Sequence, residues 1–346
     1  MIKVMYRFRI FLMVTAAVLF VSGSATAQWT KQAVNTTASL RGLSVVNEKV
    51  IWASGTGGTV IRTIDGGQKW QVITVPGSEK LDFRDIEAFD ANTAYILSIG
   101  SGESSRIYKT IDGGKTWAEQ FRNKNEKAFF DAIACWDKKN CIAMSDPVDH
   151  KFVLIETMDG GNTWTPIDPS GIPSAKEGEA AFAASGTCLI ARGKKDAFIV
   201  TGGMAARVFK STDRGRTWKA FETPIASGTA GSGIFSIAMF DAERGIIVGG
   251  NYEKPELHAN NLAYTADGGL TFKGEAGLNG YRSGVTLVGK DMILAVGSSG
   301  SDISLDGGNH WRNLDKENYN AVASKGIRSV WAVGTKGLVS RLLTIE

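Results

Sequence analysis

Thr63-Ile-Asp-Gly-Gly-Gln-Lys-Trp70, Thr110-Ile-Asp-Gly-Gly-Lys-Thr-Trp117 and Thr157-Met-Asp-Gly-Gly-Asn-Thr-Trp164 are copies of one eight-residue box. Ser211-Thr-Asp-Arg-Gly-Arg-Thr-Trp218, Thr265-Ala-Asp-Gly-Gly-Leu-Thr-Phe272 and Ser304-Leu-Asp-Gly-Gly-Asn-His-Trp311 complete a set of six. Reduced, the pattern is Ser/Thr-x-Asp-x-Gly-x-x-aromatic. Its Asp recurs at intervals of 39 to 54 residues, and self-similarity at such a period marks a repeat architecture. Locally the box is a hairpin turn. The Asp carboxylate accepts hydrogen bonds from the turn backbone. The Gly takes the positive φ the turn demands. The aromatic opens the next strand and turns into the core. Asp65, Asp112, Asp159, Asp213, Asp267 and Asp306 are therefore read as structural. A calcium loop would need several carboxylates together, and each box holds one.

Before every box stands the same phrase: an apolar strand, a loop and a second strand. Val50-Ile-Trp-Ala-Ser54 and Thr59-Val-Ile-Arg62 form it in the first unit, and Ala94-Tyr-Ile-Leu-Ser-Ile99 and Arg106-Ile-Tyr-Lys109 in the second. With the strand ahead of each phrase, every unit holds four short antiparallel strands, which is one propeller blade. A seventh phrase, Ser329-Val-Trp-Ala-Val-Gly334 and Leu338-Val-Ser-Arg341, ends where its box should begin. The missing outer strand is found at the other end, where Gln28-Trp-Thr-Lys-Gln-Ala-Val34 resembles Lys69-Trp-Gln-Val-Ile-Thr-Val75. The pattern predicts an all-β, seven-bladed β-propeller of four-stranded blades over residues 28–346, closed by its N-terminal strand. A six-bladed ring with extra terminal strands is the alternative, and the count of phrases argues against it.

Residues 1–27 read differently. Lys3, Arg7 and Arg9 precede an apolar run from Ile10 to Val21, and Ala25-Thr-Ala27 follows. This pattern reads as a secretory signal peptide, with cleavage expected after Ala27. The run is too short for a membrane span of ~20 residues, and no later stretch is long and apolar enough. Without the signal, 36 basic and 35 acidic residues remain. The bulk charge then gives no footprint for nucleic acid. Cys135 and Cys141 flank a five-residue turn, and an oxidising compartment would allow a disulfide across it. Two half-buried thiols are the other reading. Cys188, in an apolar run, reads as a core thiol. Nothing has metal-ligand spacing, and no cofactor is expected.

Blade topology sorts the loops. All boxes lie on one face, and the B–C loops and blade-to-blade links lie on the other, which is the face expected to carry function. Arg41, Arg84 and Arg282 fall near the starts of inner strands, with Asp85 and Asp131 in neighbouring positions. Asp146 and Asp149 belong to the blade-three loop. The long link from about Pro166 to Ser185 carries Glu177 and Glu179. Arg207 ends the blade-four loop, Tyr252 begins the long blade-five loop, Tyr281 precedes Arg282, and Asp302 comes from blade six.

The boxes resemble the bacterial neuraminidase-type repeats of sialidases. Phe83-Arg84-Asp85-Ile86, the Thr-x-Asp-Gly-Gly-x-x-Trp boxes and the Val-Gly-x-x-Gly phrases resemble more closely the photosystem II stability/assembly factor family. Ala143-Met-Ser-Asp-Pro-Val-Asp149, Gly178-Glu-Ala-Ala-Phe-Ala-Ala184 and Gly280-Tyr-Arg-Ser283 are similar to its bacterial branch. The resemblance covers the whole of residues 28–346. It implies an exported seven-bladed propeller and, from the photosynthetic members, an assembly chaperone with an arginine patch, to which Arg41, Arg84 and Arg282 would correspond.

Three functions are weighed. A non-catalytic binding or assembly factor needs only a rigid ring and its loop face. Its partner would be another envelope protein or a polymer such as a glycan, bound by a monomer. A sialidase-like hydrolase needs clustered arginines, a Tyr nucleophile and an acid, and Arg84, Arg207, Arg282, Tyr281 and Asp146 are the residues available. A two-carboxylate hydrolase would use Asp146 and Glu179. An oxidoreductase lacks a dinucleotide fingerprint and a redox Cys pair. The first is preferred.

Overall fold

The computed structural model describes residues 27–343. The expected signal peptide therefore lies, except for Ala27, outside the described residues. Seven antiparallel sheets follow one another around a ring. Their innermost strands are Leu40–Val45, Phe83–Ala88, Phe130–Cys135, Leu189–Arg192, Ser232–Met239, Gly284–Val288 and Tyr319–Ser324. Blade seven takes its outer strand from the chain start: Gln28–Lys31 pairs with Val339–Leu343, with Gln28 opposite Leu343. The expected closure is thus observed. Among the described residues no helix is long and apolar enough to cross a membrane.

The second strand of each blade explains its sequence. Ile51–Gly55, Ala94–Ser98 and Val330–Gly334 are buried at every residue. Blades stack face to face, so a middle strand is covered on both sides. It reads as a continuous apolar run, not an alternation.

Each box closes on itself and then on its neighbour. Thr110 Oγ1 donates to Asp112 Oδ1 at 2.9 Å and accepts the Gly114 N–H at 2.9 Å. Asp112 Oδ1 also accepts the Thr116 N–H at 2.9 Å. The Ser/Thr–Asp contact recurs in all six boxes at 2.8–2.9 Å. The box aromatic then packs on the preceding blade. Trp70 meets Trp331, Trp117 meets Trp52 and Trp164 meets Tyr95, all edge to face with centroids 5.6–6.4 Å apart. Trp311 Nε1 donates to the Tyr264 hydroxyl.

One sheet departs from four strands. In blade five the order is extended inward by Gly202–Gly203 and Glu179–Ala180, which makes six strands. Both additions are two residues long, one from the link before blade four and one from the loop between two of its strands, so blade four is sewn to the next blade. Cys135 and Cys141 face each other across their hairpin and form a disulfide, with the sulfurs 1.98 Å apart. Cys188 is buried and free.

Gly114 shows how tightly a box is seated. Its φ is +81°, and a Cβ there would lie 2.6 Å from Ile73 Cδ1 and 3.6 Å from the Trp52 ring. Gly114→Ala combines left-handed strain with overpacking between two blades and should cost about 1–3 kcal/mol. A thermal melt should show a midpoint lower by several degrees, whereas Gly77→Ala, at a positive φ with nothing within 4 Å, should lose only the strain part.

Candidate functional site

The site begins with a repeated irregularity. Five inner strands skip one residue in their pairing with the next strand. The skipped residues are Arg41, Arg84, Asp131, Phe235 and Asn320. A β-bulge leaves its extra residue unpaired and re-aims the side chain. All five line one cavity of about 500 Å³ at the loop-face mouth of the channel. Phe129, Asp146, Tyr252, Tyr281, Tyr319 and the segment Ala180–Ala184 complete much of its wall.

That segment is the end of the long link from blade three. It crosses the mouth as a strap held from several blades. Ala181 N–H donates to Asp146 Oδ1 at 2.8 Å. Arg41 Nη1 donates to the Ala184 carbonyl at 3.2 Å, and Arg84 Nη1 to the Ala183 carbonyl at 3.3 Å. Ser185 Oγ donates to the Ser283 carbonyl at 2.7 Å. Phe182 stacks on Phe235, with centroids 4.0 Å apart and planes 5° from parallel, and Tyr252 closes edge-on against both rings.

Buried carboxyls line the cavity and lie close by, with Asp131 and Asp146 in its wall. Asp85, one residue beyond the bulge, is buried and accepts the N–H groups of Ile86 and of Ile133 on the next blade, both at 2.8 Å. Burial outweighs those bonds and pushes its carboxyl up to about 7. Burial likewise raises Asp146 to about 6. Glu87 is raised well above the carboxylate range by burial and by Asp85. Asp131 is raised well above it by burial and then by Asp146, with Arg84 opposing. Arg84 is itself paired to Asp82 at 2.7 Å. Arg41 has no carboxylate within 4.0 Å among the described residues. Burial, and then Arg84, make its guanidinium harder to keep charged.

The sequence candidates therefore divide. Arg41, Arg84, Asp131, Asp146, Tyr252 and Tyr281 meet at the cavity. Asp85 lies buried close by. Arg282 and Asp302 do not face it: both side chains are fully buried and joined at 2.7 Å, so Arg282 cannot extend an arginine patch. Arg207 and Glu179 form a second buried pair, with Nε to Oε1 at 2.9 Å and Nη2 on Oε2. Glu179 also accepts from Thr201 Oγ1 at 2.6 Å. Glu179 is thus engaged by Arg207 and Thr201 and does not line the cavity with Asp146, so the structure does not bring the two carboxyls of the hydrolase reading together there. Asp149 is exposed beside a separate hollow with His150 and Glu177, and its carboxylate is 3.5 Å from Lys127. Phe182, Phe235, Tyr319 and Asn320 were not singled out from the sequence. The signal that marks two of them is the bulge position, a residue set between an apolar or aromatic residue and a small or acidic one, as in Leu40-Arg41-Gly42, Phe83-Arg84-Asp85 and Tyr319-Asn320-Ala321. Among the described residues no cluster of His, Cys, Asp and Glu is arranged to hold a metal ion.

Residues 21–125 match the family model of the Photosynthesis system II assembly factor YCF48. YCF48 structures also share the fold at full length. The structure described as YCF48 bound to D1 peptide superposes with a TM-score of 0.67 at 16% identity, covering 92% of this chain and 97% of that one. YCF48 from Cyanidioschyzon merolae gives 0.66 at 15% identity, covering 91% and 98%. The GH74 enzyme of Niastella koreensis gives 0.62 at 16% identity, covering 90% of this chain and 53% of the enzyme. No curated protein matches. The chain thus shares the β-propeller fold of YCF48 and resembles its family in sequence over residues 21–125.

The two sets of carboxyls set opposite pH limbs. Raised carboxyls such as Asp85 and Asp146 stabilise the fold below the unfolded value of ~4, and that contribution is lost as pH rises through their folded values. The box carboxylates are depressed by turn hydrogen bonds, Asp112 and Asp306 to about 2. Their contribution is present above ~4 and is lost as pH falls toward 2. The thermal midpoint should be highest near pH 4–5 and should decline toward pH 8. Asp85→Asn should flatten the decline between pH 5 and 8. A wild-type midpoint that climbs steadily from pH 5 to 8 would contradict the protonated carboxyls.

Proposed function

We propose that this chain is an exported, monomeric, non-catalytic propeller that binds a segment of a partner protein at its loop-face cavity and acts as an assembly or stability factor. The observation that carries this reading is the strap. Arg41 and Arg84 already hold the backbone carbonyls of Ala183 and Ala184, in the turn that ends the strap. The mouth is therefore equipped to bind peptide backbone, with aromatic walls from Phe235, Tyr252 and Tyr281 for side chains. Such groups fix an incoming segment through main-chain hydrogen bonds and leave selectivity to pockets. The YCF48 structure with a D1 peptide supports a protein partner. The arginine patch in this reading consists of Arg41 and Arg84, because Arg282 is committed to Asp302.

Export is supported by the basic-apolar-small pattern of residues 1–27. The Cys135–Cys141 disulfide on an exposed hairpin is in keeping with an oxidising compartment. N-terminal sequencing of the protein from an envelope fraction should begin at Gln28. A chain that still begins at Met1 and stays in the cytoplasm would refute export.

The binding reading is tested by cross-linking and affinity capture from the envelope. Wild type should retain a defined partner that Arg41→Ala/Arg84→Ala loses at least tenfold, while Lys127→Ala, at the exposed Asp149 contact, retains it. Equal recovery by the double variant would refute the role of the cavity.

A further inference from the structure

The bulge residues differ in one respect. Arg41 and Arg84 donate to strap carbonyls, Phe235 is stacked, and Asn320 Nδ2 donates to the Leu40 carbonyl at 2.8 Å. Asp131 is only 1% exposed, lines the same cavity, and its Oδ2 has no hydrogen-bond partner. Asp146 lines the cavity too, with Oδ1 taken by the strap. We propose that Asp131, with Asp146, forms a subsite for the cationic side chain of a Lys or Arg in the bound segment. This rests on the peptide-binding reading above and deepens it.

The chemistry selects the occupant. A buried carboxyl with one oxygen lacking a donor is costly as an anion. The empty site avoids that cost by holding a proton, since burial and the Asp146 charge, which favour the neutral acid, outweigh the Asp146 backbone N–H and Arg84, which oppose it. An ammonium or guanidinium supplies donor and charge together. A hydroxyl would leave the charge of the pair unmatched, and an anion would be repelled. Arg84 does not fill the role, because Asp82 and the Ala183 carbonyl engage it. A long apolar stem is also suited to the cavity, whose lining includes Phe129, Ala180 and Phe182 beside the two acids.

Entry of the cation displaces the proton, so binding should strengthen with pH, by up to about tenfold per pH unit. The groups facing Asp131 are Asp146 and Arg84, and the Cys188 thiol lies within the influence of Asp131, Asp85 and Asp146 together. Cys188 is pushed up by burial and stays neutral.

The test uses residues 28–346, immobilised, and a positional-scanning library of N-acetylated, C-amidated octapeptides, which carry charge only on side chains. Wild type should enrich Lys or Arg at one position at least tenfold, more at pH 7.5 than at pH 5.5. Asp131→Asn should lose that selection, Asp146→Asn should weaken it, and Arg41→Ala should keep it among the peptides it still binds. Circular dichroism should confirm that each variant is folded, and Asp146→Asn, at the less buried acid, serves as the second variant. Peptides bound without basic selection, or selection that survives in both Asp variants, would overturn the subsite while leaving peptide binding standing. Retention of no peptide by wild type would overturn the peptide-binding reading itself.

Discussion

The ring depends on the seat that each box finds on the blade before it. The turn hydrogen bonds alone would make six independent hairpins. What turns hairpins into a ring is the contact of the box glycine and aromatic with the preceding blade, as with Gly114 and Trp117 against Trp52. The contact is steric and close to its limit, so it sets the spacing between blades as well as their attraction. Edge-to-face aromatic contacts of this kind add ~0.5–1.5 kcal/mol each beyond burial. Repeated around a ring closed by Gln28–Lys31, they leave no free sheet end from which fraying could start. The functional face inherits this rigidity. Because the blades are held in step, the bulges of five inner strands open onto one cavity.

The fold was largely legible because it is written in repeats. Six boxes and seven phrases gave the blade count, and the likeness of Gln28–Val34 to Lys69–Val75 gave the closure. The inward extension of blade five was not legible, because strands of two residues, Glu179–Ala180 and Gly202–Gly203, have no periodicity to read. The site was legible in part. Arg41 and Arg282 look alike in sequence, each near the start of an inner strand. Yet Arg41 is the bulge residue of a strand starting at Leu40, whereas Arg282 lies two residues before Gly284. Arg282 thus lies outside the paired strand, and it turns away to meet Asp302. Glu179 misled for a related reason. A long link suggests solvent, but this one folds back into the sheet and brings Glu179 to Arg207, 28 residues later.

The strap explains its own composition. Ala180, Ala181, Ala183, Ala184, Ser185 and Gly186 are small because they pass close over the channel acids. A Cβ at Gly186 would fall within the carboxylate of Asp85. Phe182 is the exception, and its ring is the part that anchors the strap, by stacking on Phe235. With carbonyls fixed by packing on one side, Arg41 and Arg84 are held extended at the mouth and lose little freedom when a ligand arrives. The same contacts mean that an incoming acceptor competes with Ala183 and Ala184 or shares the guanidinium groups with them.

The buried carboxyls are best understood against the two buried ion pairs nearby. Arg282–Asp302 and Arg207–Glu179 show that this chain pairs its buried charges where they serve only the fold, since removing one partner of such a pair costs several kcal/mol. Asp85 is left without a cation, but two backbone N–H groups from adjacent blades satisfy it, so it too has a structural account as an inter-blade brace. Asp146 has a strap N–H. Asp131 Oδ2 has nothing. The ring holds that oxygen in place beside the cavity that Asp131 lines. The unmet group is therefore kept by position, at the one level of the channel where the bulges turn side chains toward the mouth. Its burial is a standing cost to stability that the closed, boxed ring can carry and that a less constrained sheet would relieve by moving.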